Sequence, residues 1–290
     1  GAGGVAGVSV GVVSAGGRSV GGVAGGSGRF SGAGAGGASG GVTAINLSVS
    51  AGSDQTSGDS VAVTRFENID ASALASALTI TGSSSANVIA SGAGADVIDG
   101  KGGADVINAG GGDDITSYWG AETSIDGGSG VNTLLMRAVT TVNLANADQM
   151  SGDISDVVNF QNVDASNLTS LQAVSITGST GANTLTGGGG GDSIDGNGGA
   201  DAIAAGLGDD SVVYHGGEAS IDGGAGTDTL TLAASGGVSL VNLAVAAGAD
   251  QTTGDSVAVS NFENVDASAL STALTVAGSA SANTIIGGSG

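Results

Sequence analysis

Acidic and amide side chains recur at a nine-residue spacing in two stretches of the chain, and this spacing suits a particular chemistry. Residues 178–231 divide without a gap into six nonapeptides, and residues 82–135 divide in the same register. The eighth position of almost every unit carries a large aliphatic residue. The sixth-position carboxylates and amides are Asn87, Asp96, Asp105, Asp114, Asn132, Asn183, Asp192, Asp201, Asp210 and Asp228. Regularly repeated oxygen donors of this kind are typical ligands of a hard cation.

The arrangement of each unit predicts that these oxygens stack on one another. The polar–apolar alternation at the end of a unit predicts a short strand, and the Gly-rich first half predicts a turn. Two units then complete one coil of about 18 residues, with strands of adjacent coils ~4.8 Å apart. Bare carboxylates at about 5 Å repel one another by roughly 3 kcal/mol per pair at an effective dielectric of about 20. Such a stack therefore needs a positive charge between its members.

The composition indicates that this charge comes from solvent. The 290 residues contain 27 acidic and five basic side chains, with a net charge of −22, and 59 Gly but no Pro or Cys. Lys and Arg are too few to neutralise the stacked carboxylates. Asp oxygens and turn carbonyls suit Ca²⁺, whereas softer metals are disfavoured because Cys is missing and His215 is the only histidine. A nucleic-acid partner is excluded on the same grounds, because phosphate binding needs basic patches.

The same periodicity predicts the fold class. We expect an all-β chain in which nonapeptide coils stack as a right-handed parallel β-roll or β-helix solenoid, with the eighth-position side chains facing inward. In the second array, one edge then carries Asp192, Asp210 and Asp228. The opposite edge carries Asn183, Asp201 and Ala219.

A longer repeat surrounds the arrays and divides the chain into blocks. Similar segments begin at Val42, Val139 and Val238, and each leads directly into nonapeptides. We predict a Gly-rich lead-in or arm (1–41), two full blocks (42–138 and 139–237) and a truncated third block (238–290). Each full block consists of a β segment followed by an array.

The two ends of the chain differ from the blocks. Alternating Val8, Val10 and Val12 predict one short strand, either within an irregular lead-in or within an arm that adds a strand to a neighbouring molecule. The chain starts without Met and stops inside a repeat, so we expect both ends to be cuts from a longer chain. The sequence contains no run of 18 apolar residues, so it predicts no transmembrane segment.

Paired carboxylates also recur in one loop of each β segment. The pairs are Asp54 with Asp59, Asp148 with Asp153, and Asp250 with Asp255. A polar turn in which Asp caps the backbone is the favoured interpretation, and an ion site is the alternative.

The nonapeptides resemble the hemolysin-type calcium-binding repeats of the repeats-in-toxin (RTX) family. The clearest units read GGGGGDSIDGNGGAD and GGAGTDTLT, against a family pattern of G-G-x-G-x-D-x-U-x in which U is a large aliphatic residue. The resemblance covers both arrays and the stub at 278–290. It implies a β-roll that folds when Ca²⁺ binds and export of the unfolded chain by a one-step (type I) secretion system. The ligands it implies are Asp96, Asp105, Asp114, Asp192, Asp201, Asp210 and Asp228, with Asn87, Asn132 and Asn183 as weaker neutral oxygens.

Some positions depart from the family pattern. The fifth unit of each array has Thr123 or Ala219 in place of the ligand, so we expect the calcium column to be interrupted there. Tyr118-Trp119 and Tyr214-His215 replace the leading Gly pair of those units. We interpret these aromatic residues as turn fillers, with a lateral contact as the alternative. The ninth-position residues Asp99, Asp126, Asp195 and Asp222 are predicted to cap turns rather than to bind ions.

The sequence predicts a structural role and no enzyme activity. One His cannot build a His-based metal centre, and no Ser/His/Asp grouping is present in the sequence. The acidic, Cys-free repeats resemble calcium-dependent surface-layer (S-layer) proteins of the same secretion class. We therefore predict a secreted S-layer or extracellular filament subunit that self-assembles into a filament or lattice, and contact with cell-surface polysaccharide stays open. The alternative is a repeat or stalk segment of a larger secreted RTX adhesin or enzyme.

Overall fold

The structure, a computed structural model, describes residues 42–58, 63–234 and 236–290 together with the backbone of 9–11 and 29–31. Every regular element in these ranges is a β-strand of two to four residues. The first twelve are β1 (Ser9–Gly11), β2 (Arg29–Ser31), β3 (Ala44–Asn46), β4 (Thr56–Ser57), β5 (Asn68–Asp70), β6 (Thr79–Thr81), β7 (Val88–Ala90), β8 (Val97–Asp99), β9 (Val106–Asn108), β10 (Ile115–Tyr118), β11 (Ser124–Asp126) and β12 (Thr133–Met136). The next eleven are β13 (Thr141–Asn143), β14 (Met150–Ser151), β15 (Asp156–Val158), β16 (Asn162–Asp164), β17 (Ser175–Thr177), β18 (Thr184–Thr186), β19 (Ser193–Asp195), β20 (Ala202–Ala204), β21 (Ser211–Tyr214), β22 (Ser220–Asp222) and β23 (Thr229–Leu232). The last six are β24 (Leu240–Asn242), β25 (Thr252–Thr253), β26 (Ala258–Ser260), β27 (Asn264–Asp266), β28 (Thr275–Ala277) and β29 (Ile285–Ile286).

The strands are short because each nonapeptide supplies one inward-facing aliphatic residue between two outward-facing neighbours. In β19, Ile194 is fully buried while Ser193 is exposed, as expected when successive side chains point to opposite faces. The eighth-position residues Ile98, Ile107 and Leu230 are likewise 0–1 % exposed. The predicted inward direction of this position is therefore confirmed.

The chain forms two compact units, Gly1–Leu134 with Ile154–Phe160 and Leu135–Asp153 with Gln161–Gly290. In the first unit, successive strands of the array alternate between two sheets. One sheet has the order β1-β2-β5-β7-β9-β11-β15, and the other includes β4-β3-β6-β8-β10. The described pairings in these sheets are parallel except for the antiparallel pair β3–β4.

The second unit repeats this alternation. One of its sheets has the order β14-β13-β17-β19-β21-β23-β27-β29, and the other includes β16-β18-β20-β22-β26. A small third sheet, β25-β24-β28, belongs to the last β segment. Antiparallel pairing in this unit is confined, among the described pairs, to β13–β14 and β24–β25.

The strand register confirms the coil length expected from the sequence. Val88 pairs with Val106, and Ser193 pairs with Ser211, so partners lie 18 residues apart. The β segments add wider coils to the same sheets, since Thr229 pairs with Asn264. The all-β fold of stacked parallel coils is a β-roll, as predicted.

The turns bring the backbones of neighbouring coils into direct contact. Gly110 and Gly128 have positive φ values of 91° and 73°. An atom at the Cβ position of Gly128 would overlap the carbonyl oxygen of Gly110. Glycine is therefore needed at these positions both for the backbone conformation and for the close approach.

The lead-in contains two described strands. The short strand predicted around Val10 is present as β1, which pairs in parallel with β2. Val8, Val12 and the rest of the proposed arm lie outside the described residues. No helix in the described ranges is long and apolar enough to span a membrane.

Candidate metal centre

All seven sixth-position Asp residues are buried. Asp105, Asp114, Asp201 and Asp228 are 0 % exposed, and the other three, Asp96, Asp192 and Asp210, are 1–2 % exposed. The carboxylates of Asp105, Asp192 and Asp201 lie close to the Gly that opens their own unit: an atom at the Cβ position of Gly100 would be 2.7 Å from Asp105 Oδ2. A buried carboxylate is stable only with compensating donors or a cation, so the partners of these oxygens decide what the column can do.

The first carboxylate oxygen of each Asp is used to join adjacent coils. Asp210 Oδ1 accepts the backbone N–H of Asp192 at 2.7 Å, and Asp228 Oδ1 accepts that of Asp210 at 2.8 Å. The same contact, always with the residue 18 positions earlier, is made by Asp96, Asp105, Asp114, Asp192 and Asp201. We call these rows of amide-to-carboxylate hydrogen bonds, one along each sixth-position column, the ladder. It shows that the predicted columns spaced by 18 residues do form.

The second carboxylate oxygen of most ladder residues is buried without a donor. Two are satisfied by the protein, since Ser91 Oγ donates to Asp96 Oδ2 and the Gly188 N–H donates to Asp192 Oδ2 at 2.6 Å. The other Oδ2 atoms have no hydrogen-bond partner within the described part of the chain, and they belong to Asp105, Asp114, Asp201, Asp210 and Asp228. Leaving a buried acceptor unsatisfied costs about 1–3 kcal/mol, and more for a charged group.

Burial also makes these carboxylates difficult to ionise. It raises the pKa of Asp105, Asp114 and Asp228 to about 6, and it raises the pKa of Asp210 to about 7. Neighbouring carboxylates contribute at each site, and Asp210 has three of them in Asp192, Asp209 and Asp228. A cation at the orphaned oxygens would favour the ionised form and remove this penalty.

The donor set fits calcium. Hard carboxylate and carbonyl oxygens are the ligands that Ca²⁺ prefers, and the second oxygens of Asp105, Asp114, Asp201, Asp210 and Asp228 are the ones left to hold it. No group of three or more His, Cys, Asp or Glu side chains converges on one point in the described ranges. Turn carbonyls would therefore complete the coordination. Bound there, the ion supplies positive charge between coils that would otherwise repel.

The predicted Asn ligands are engaged differently. Asn87 Oδ1 accepts the N–H of Ser83 at 2.7 Å, and its Nδ2 donates to the carbonyl of Glu67 at 2.6 Å. Asn183 makes the same two contacts with Ser179 and Gln161. An Asp could not donate to those carbonyls, which explains the amide at the start of each array. The sequence did not reveal this role, and calcium binding by Asn87 and Asn183 stays a prediction.

Asn132 stands at the other end of its column. Its Oδ1 accepts the N–H of Asp114 at 3.0 Å, so it continues the ladder without a negative charge. Its Nδ2 donates to the carbonyl of Asn159 at 3.0 Å. Both of its polar groups therefore have partners in the protein, and its role as an ion ligand likewise stays a prediction.

The fifth unit contains acidic residues that the sequence reasoning missed. Glu122 and Glu218 occupy the fifth position rather than the sixth and are 0 % and 5 % exposed. Glu122 accepts the N–H groups of Trp119 and Gly120 at 2.8 and 2.9 Å, and Glu218 accepts those of His215 and Gly216 at 2.6 and 2.8 Å. These carboxylates close their own turn with protein donors, whereas Thr123 and Ala219 supply no carboxylate. An acidic residue shifted by one position was the available signal.

The aromatic pairs of that unit lie where a strand ends, with the Tyr residue inside the strand. Tyr118 and Tyr214 are 2 % and 0 % exposed. Trp119 Nε1 donates to Asp99 at 2.9 Å, and His215 Nε2 lies 2.8 Å from Asp195. Tyr118 is the last residue of β10 and Tyr214 the last residue of β21, and the turn-filler and lateral-contact interpretations both stay predictions.

The remaining Asp residues act mainly as turn caps. Asp99, Asp126, Asp195 and Asp222 each accept the N–H two residues further on, which confirms their predicted capping role. In the loops of the β segments, Asp54 and Asp250 accept the N–H and hydroxyl of the Thr two residues on, and Asp148 accepts the N–H of Met150. Asp255 accepts the Tyr214 hydroxyl at 2.7 Å. Asp59 lies outside the described residues, and ion binding by these loops stays a prediction.

The stacked coils and the buried carboxylate columns define a calcium-binding repeat protein. A family model described as the RTX calcium-binding nonapeptide repeat, in four copies, matches residues 81–115, 177–212 and 220–234. The chain therefore carries RTX repeats, and the resemblance stated from the sequence is confirmed. RTX repeats form β-rolls, and proteins that contain them are typically secreted. No curated protein matches the chain.

Proposed function

We propose that this chain is a calcium-dependent structural element of the bacterial cell surface, as a subunit of an S-layer or an extracellular filament. The observation that carries the proposal is the ladder with its orphaned second oxygens. It runs through both arrays, and it places the chemistry of the chain between coils rather than in a cleft. Groups spread evenly along a stack of coils serve the stability of that stack.

The same contacts support a non-catalytic role. A catalytic carboxylate must reach a substrate, whereas Asp114 and Asp210 are buried and each bonds a backbone amide of the neighbouring coil. We therefore propose that this segment is not an enzyme. Turnover of any ester, peptide or glycoside substrate by the purified chain would contradict the proposal.

Calcium binding would allow the chain to fold only where calcium is present. Five buried carboxylate oxygens lack donors among the described residues, so the ion-free chain folds against an electrostatic penalty. Binding energy that is available only in the folded state becomes folding energy. A chain of this kind can be exported unfolded and become rigid where calcium is present.

Electron microscopy of the native material with and without calcium tests the proposal. We expect an ordered lattice or filaments in millimolar calcium and their dispersal after EGTA is added. Magnesium at the same concentration is the control, because its small size and octahedral demand suit these sites poorly. Folded single particles that never associate would overturn the assembly role.

That last outcome would favour the alternative function. A repeat or stalk segment of a larger secreted RTX adhesin or enzyme would also need calcium to become rigid, but it would not form a lattice. The specific feature in its favour is that coils of the β segments continue the sheets of the arrays, as a spacer requires. Calcium-dependent stiffening without association would identify this role.

A further inference from the structure

The ladder continues beyond the last nonapeptide of the second array. Thr229 pairs with Asn264, so Glu263 stands next to Asp228 in the sixth-position column. The Asp228 N–H donates to Glu263 Oε2 at 2.8 Å, and the Asn264 N–H donates to the Asp228 carbonyl at 2.9 Å. Glu263 lies in the third β segment, outside the residues that match the RTX repeat. A second carboxylate is therefore in line with the column where the repeats have ended.

Asp228 is buried, and only one of its two carboxylate oxygens accepts a hydrogen bond among the described residues. The side chain is 0 % exposed, and its Oδ1 accepts the Asp210 N–H at 2.8 Å. Its Oδ2 is buried and finds no hydrogen-bond partner among the residues that the structure describes. The charge of Glu263 adds to the difficulty of ionising it. An acceptor in this position indicates a ligand that carries positive charge.

The corresponding junction in the first unit contains a hydrogen-bond donor that the junction at Asp228 lacks. There the last sixth-position residue is Asn132, and its Nδ2 donates to the carbonyl of Asn159 at 3.0 Å. Both groups lie against Gly127, where an atom at the Cβ position would be 2.6 Å from the Asn159 oxygen and 3.1 Å from Asn132 Nδ2. Asn159 has a φ of 65°, which turns its carbonyl region away from regular strand geometry. This junction is closed by a neutral hydrogen bond.

The second unit has the same backbone arrangement but lacks the donor. Asn261, with a φ of 61°, takes the place of Asn159, and Asp228 takes the place of Asn132. An atom at the Cβ position of Gly223 would overlap the Asn261 oxygen and lie 3.0 Å from Asp228 Cβ. The Asp228 side chain and the Asn261 carbonyl thus border the same glycine, where the first unit has an N–H···O bond, and neither group can donate a hydrogen bond. Two acceptors in that position repel each other unless a cation joins them.

We propose that a calcium ion is held at this junction by Asp228 Oδ2, the Asn261 carbonyl and the Glu263 carboxylate, one site beyond the nonapeptides. The sequence supports a difference between the junctions, because the residues equivalent to Asp228 and Glu263 in the preceding block are the amides Asn132 and Gln161. Both residues are acidic at the junction in the second unit, and both are amides at the junction in the first unit. The inference rests on calcium binding by the repeats and extends it to the third β segment.

Calcium stoichiometry tests the proposal. Equilibrium dialysis with atomic emission would give the ions bound per chain for the wild type, Asp228→Asn, Glu263→Gln and Asp209→Asn. The first two variants keep an oxygen acceptor for the ladder amide, and we expect each to bind one calcium fewer. Asp209 is exposed and accepts the Thr227 N–H at 2.8 Å, so Asp209→Asn removes the same charge nearby and should leave the stoichiometry unchanged.

A second measurement separates a lost ion from a damaged fold. As calcium is lowered stepwise, Asp228→Asn should lose its β signal in circular dichroism at a lower calcium concentration than the wild type, because the new amide can donate to the Asn261 carbonyl as Asn132 does to Asn159. The reverse change, Asn132→Asp with Gln161→Glu, should gain one calcium. If Asp228→Asn failed to fold, Glu263→Gln and this reverse variant would still decide the matter.

The possible results distinguish this inference from calcium binding as such. A wild-type chain that binds no calcium would overturn both. A wild type that binds calcium, with the same stoichiometry in Asp228→Asn and Glu263→Gln, would overturn the junction site alone. Loss of one ion in both variants, with Asp209→Asn unaffected, would establish it.

Discussion

Both nonapeptide arrays contain the ladder, and they differ in how its ends are neutralised. In the first array, the column of Asp96 and Asp114 ends at the neutral Asn132. In the second array, Asp192 and Asp210 are followed by Asp228 and then by Glu263. Burial raises the pKa of Asp114 to about 6 but that of Asp210, with more acidic neighbours, to about 7. A single amide at the end of a column therefore makes that column less dependent on an external cation.

Removal of calcium should produce the largest effect and should separate the arrays. We expect EGTA to abolish the β signal in circular dichroism, because orphaned carboxylate oxygens are present in both arrays. As calcium is lowered stepwise, hydrogen exchange should reach residues 178–231 at a higher calcium concentration than residues 82–135. Simultaneous loss of protection would show that the column ends do not matter, and spectra unchanged by EGTA would refute the calcium scaffold.

Substitution within the ladder should come next. Asp210→Ala removes the acceptor of the Asp192 N–H and a calcium oxygen, so we expect a loss of roughly 2–3 kcal/mol in the free energy of unfolding in calcium. Asp114→Ala should cost somewhat less, because Asn132 lies beside it. The control is Asp222→Ala, which removes only turn contacts to Gly224 and Asn261 and should cost about 1 kcal/mol. Calcium titrations monitored by circular dichroism would show a wrong ligand register if Asp210→Ala and Asp222→Ala gave equal curves.

The effect of pH on the stability of the calcium-free protein should be smaller than that of ladder substitutions. Its direction should be opposite to that of most proteins, because stability should fall as the pH rises. The folded-state pKa values of about 6 for Asp105, Asp114 and Asp228 and about 7 for Asp210 lie above the ordinary value of 3.8. The folded state therefore binds protons more tightly, and the stability present near pH 4 is lost as the pH rises towards 7.

In protein stripped of calcium by a chelating resin, more of the β signal in circular dichroism should remain at pH 5 than at pH 7.5, because protonated carboxylates do not repel one another. Saturating calcium should remove this difference, because the ion then neutralises the carboxylates in place of protons. A calcium-free protein that became more stable as the pH rose from 5 to 7.5 would contradict the assigned burial.

The smallest effect concerns a core position where the arrays differ. Thr116 is fully buried, and its hydroxyl has no hydrogen-bond partner in the described ranges, whereas the matching residue of the second array is Val212. We expect Thr116→Val to raise the free energy of unfolding by about 1 kcal/mol and Val212→Thr to lower it by a similar amount. Thermal melts in calcium would measure both, and a destabilised Thr116→Val would mean that the hydroxyl is satisfied by a group outside these contacts.

The sequence was sufficient to predict the coil and its register. Alternation of polar and aliphatic residues at positions seven to nine specifies a strand, and the position of Ile194 within it decides which side faces the core. The columns followed because two nonapeptides make one coil, so that Asp192 must stack near Asp210. These features depend on periodicity, which is visible in a sequence.

Contacts that depend on one atom of a side chain were not predictable in this way. The pattern marks Asp210 as a ligand, but it does not show that one oxygen is committed to the Asp192 N–H and only the other is left for an ion. Asn183 looked like a weakened ligand because nothing in the spacing indicates that its amide reaches the Gln161 carbonyl. Glu122 was missed because a longer side chain one position earlier reaches the same turn amides.

The contribution of the wider β segments to the sixth-position columns was also not predictable from the sequence. Their spacing departs from nine, so the sequence gives no reason to align Glu263 with the sixth position. The alignment is set by the pairing of Thr229 with Asn264, which depends on how a long loop returns to the sheet.

The ladder has a direction, and this direction matters for a chain that is exported before it folds. Every ladder amide donates to a side-chain oxygen that lies later in the sequence, as Asp192 does to Asp210 and Asp210 does to Asp228. A coil therefore receives its anchoring acceptor only from the coil that follows it. Each coil is incomplete until its successor arrives, and the two faces of any stack differ chemically: one presents amide donors and the other presents carboxylates. Two such stacks extend the ladder only when they join head to tail.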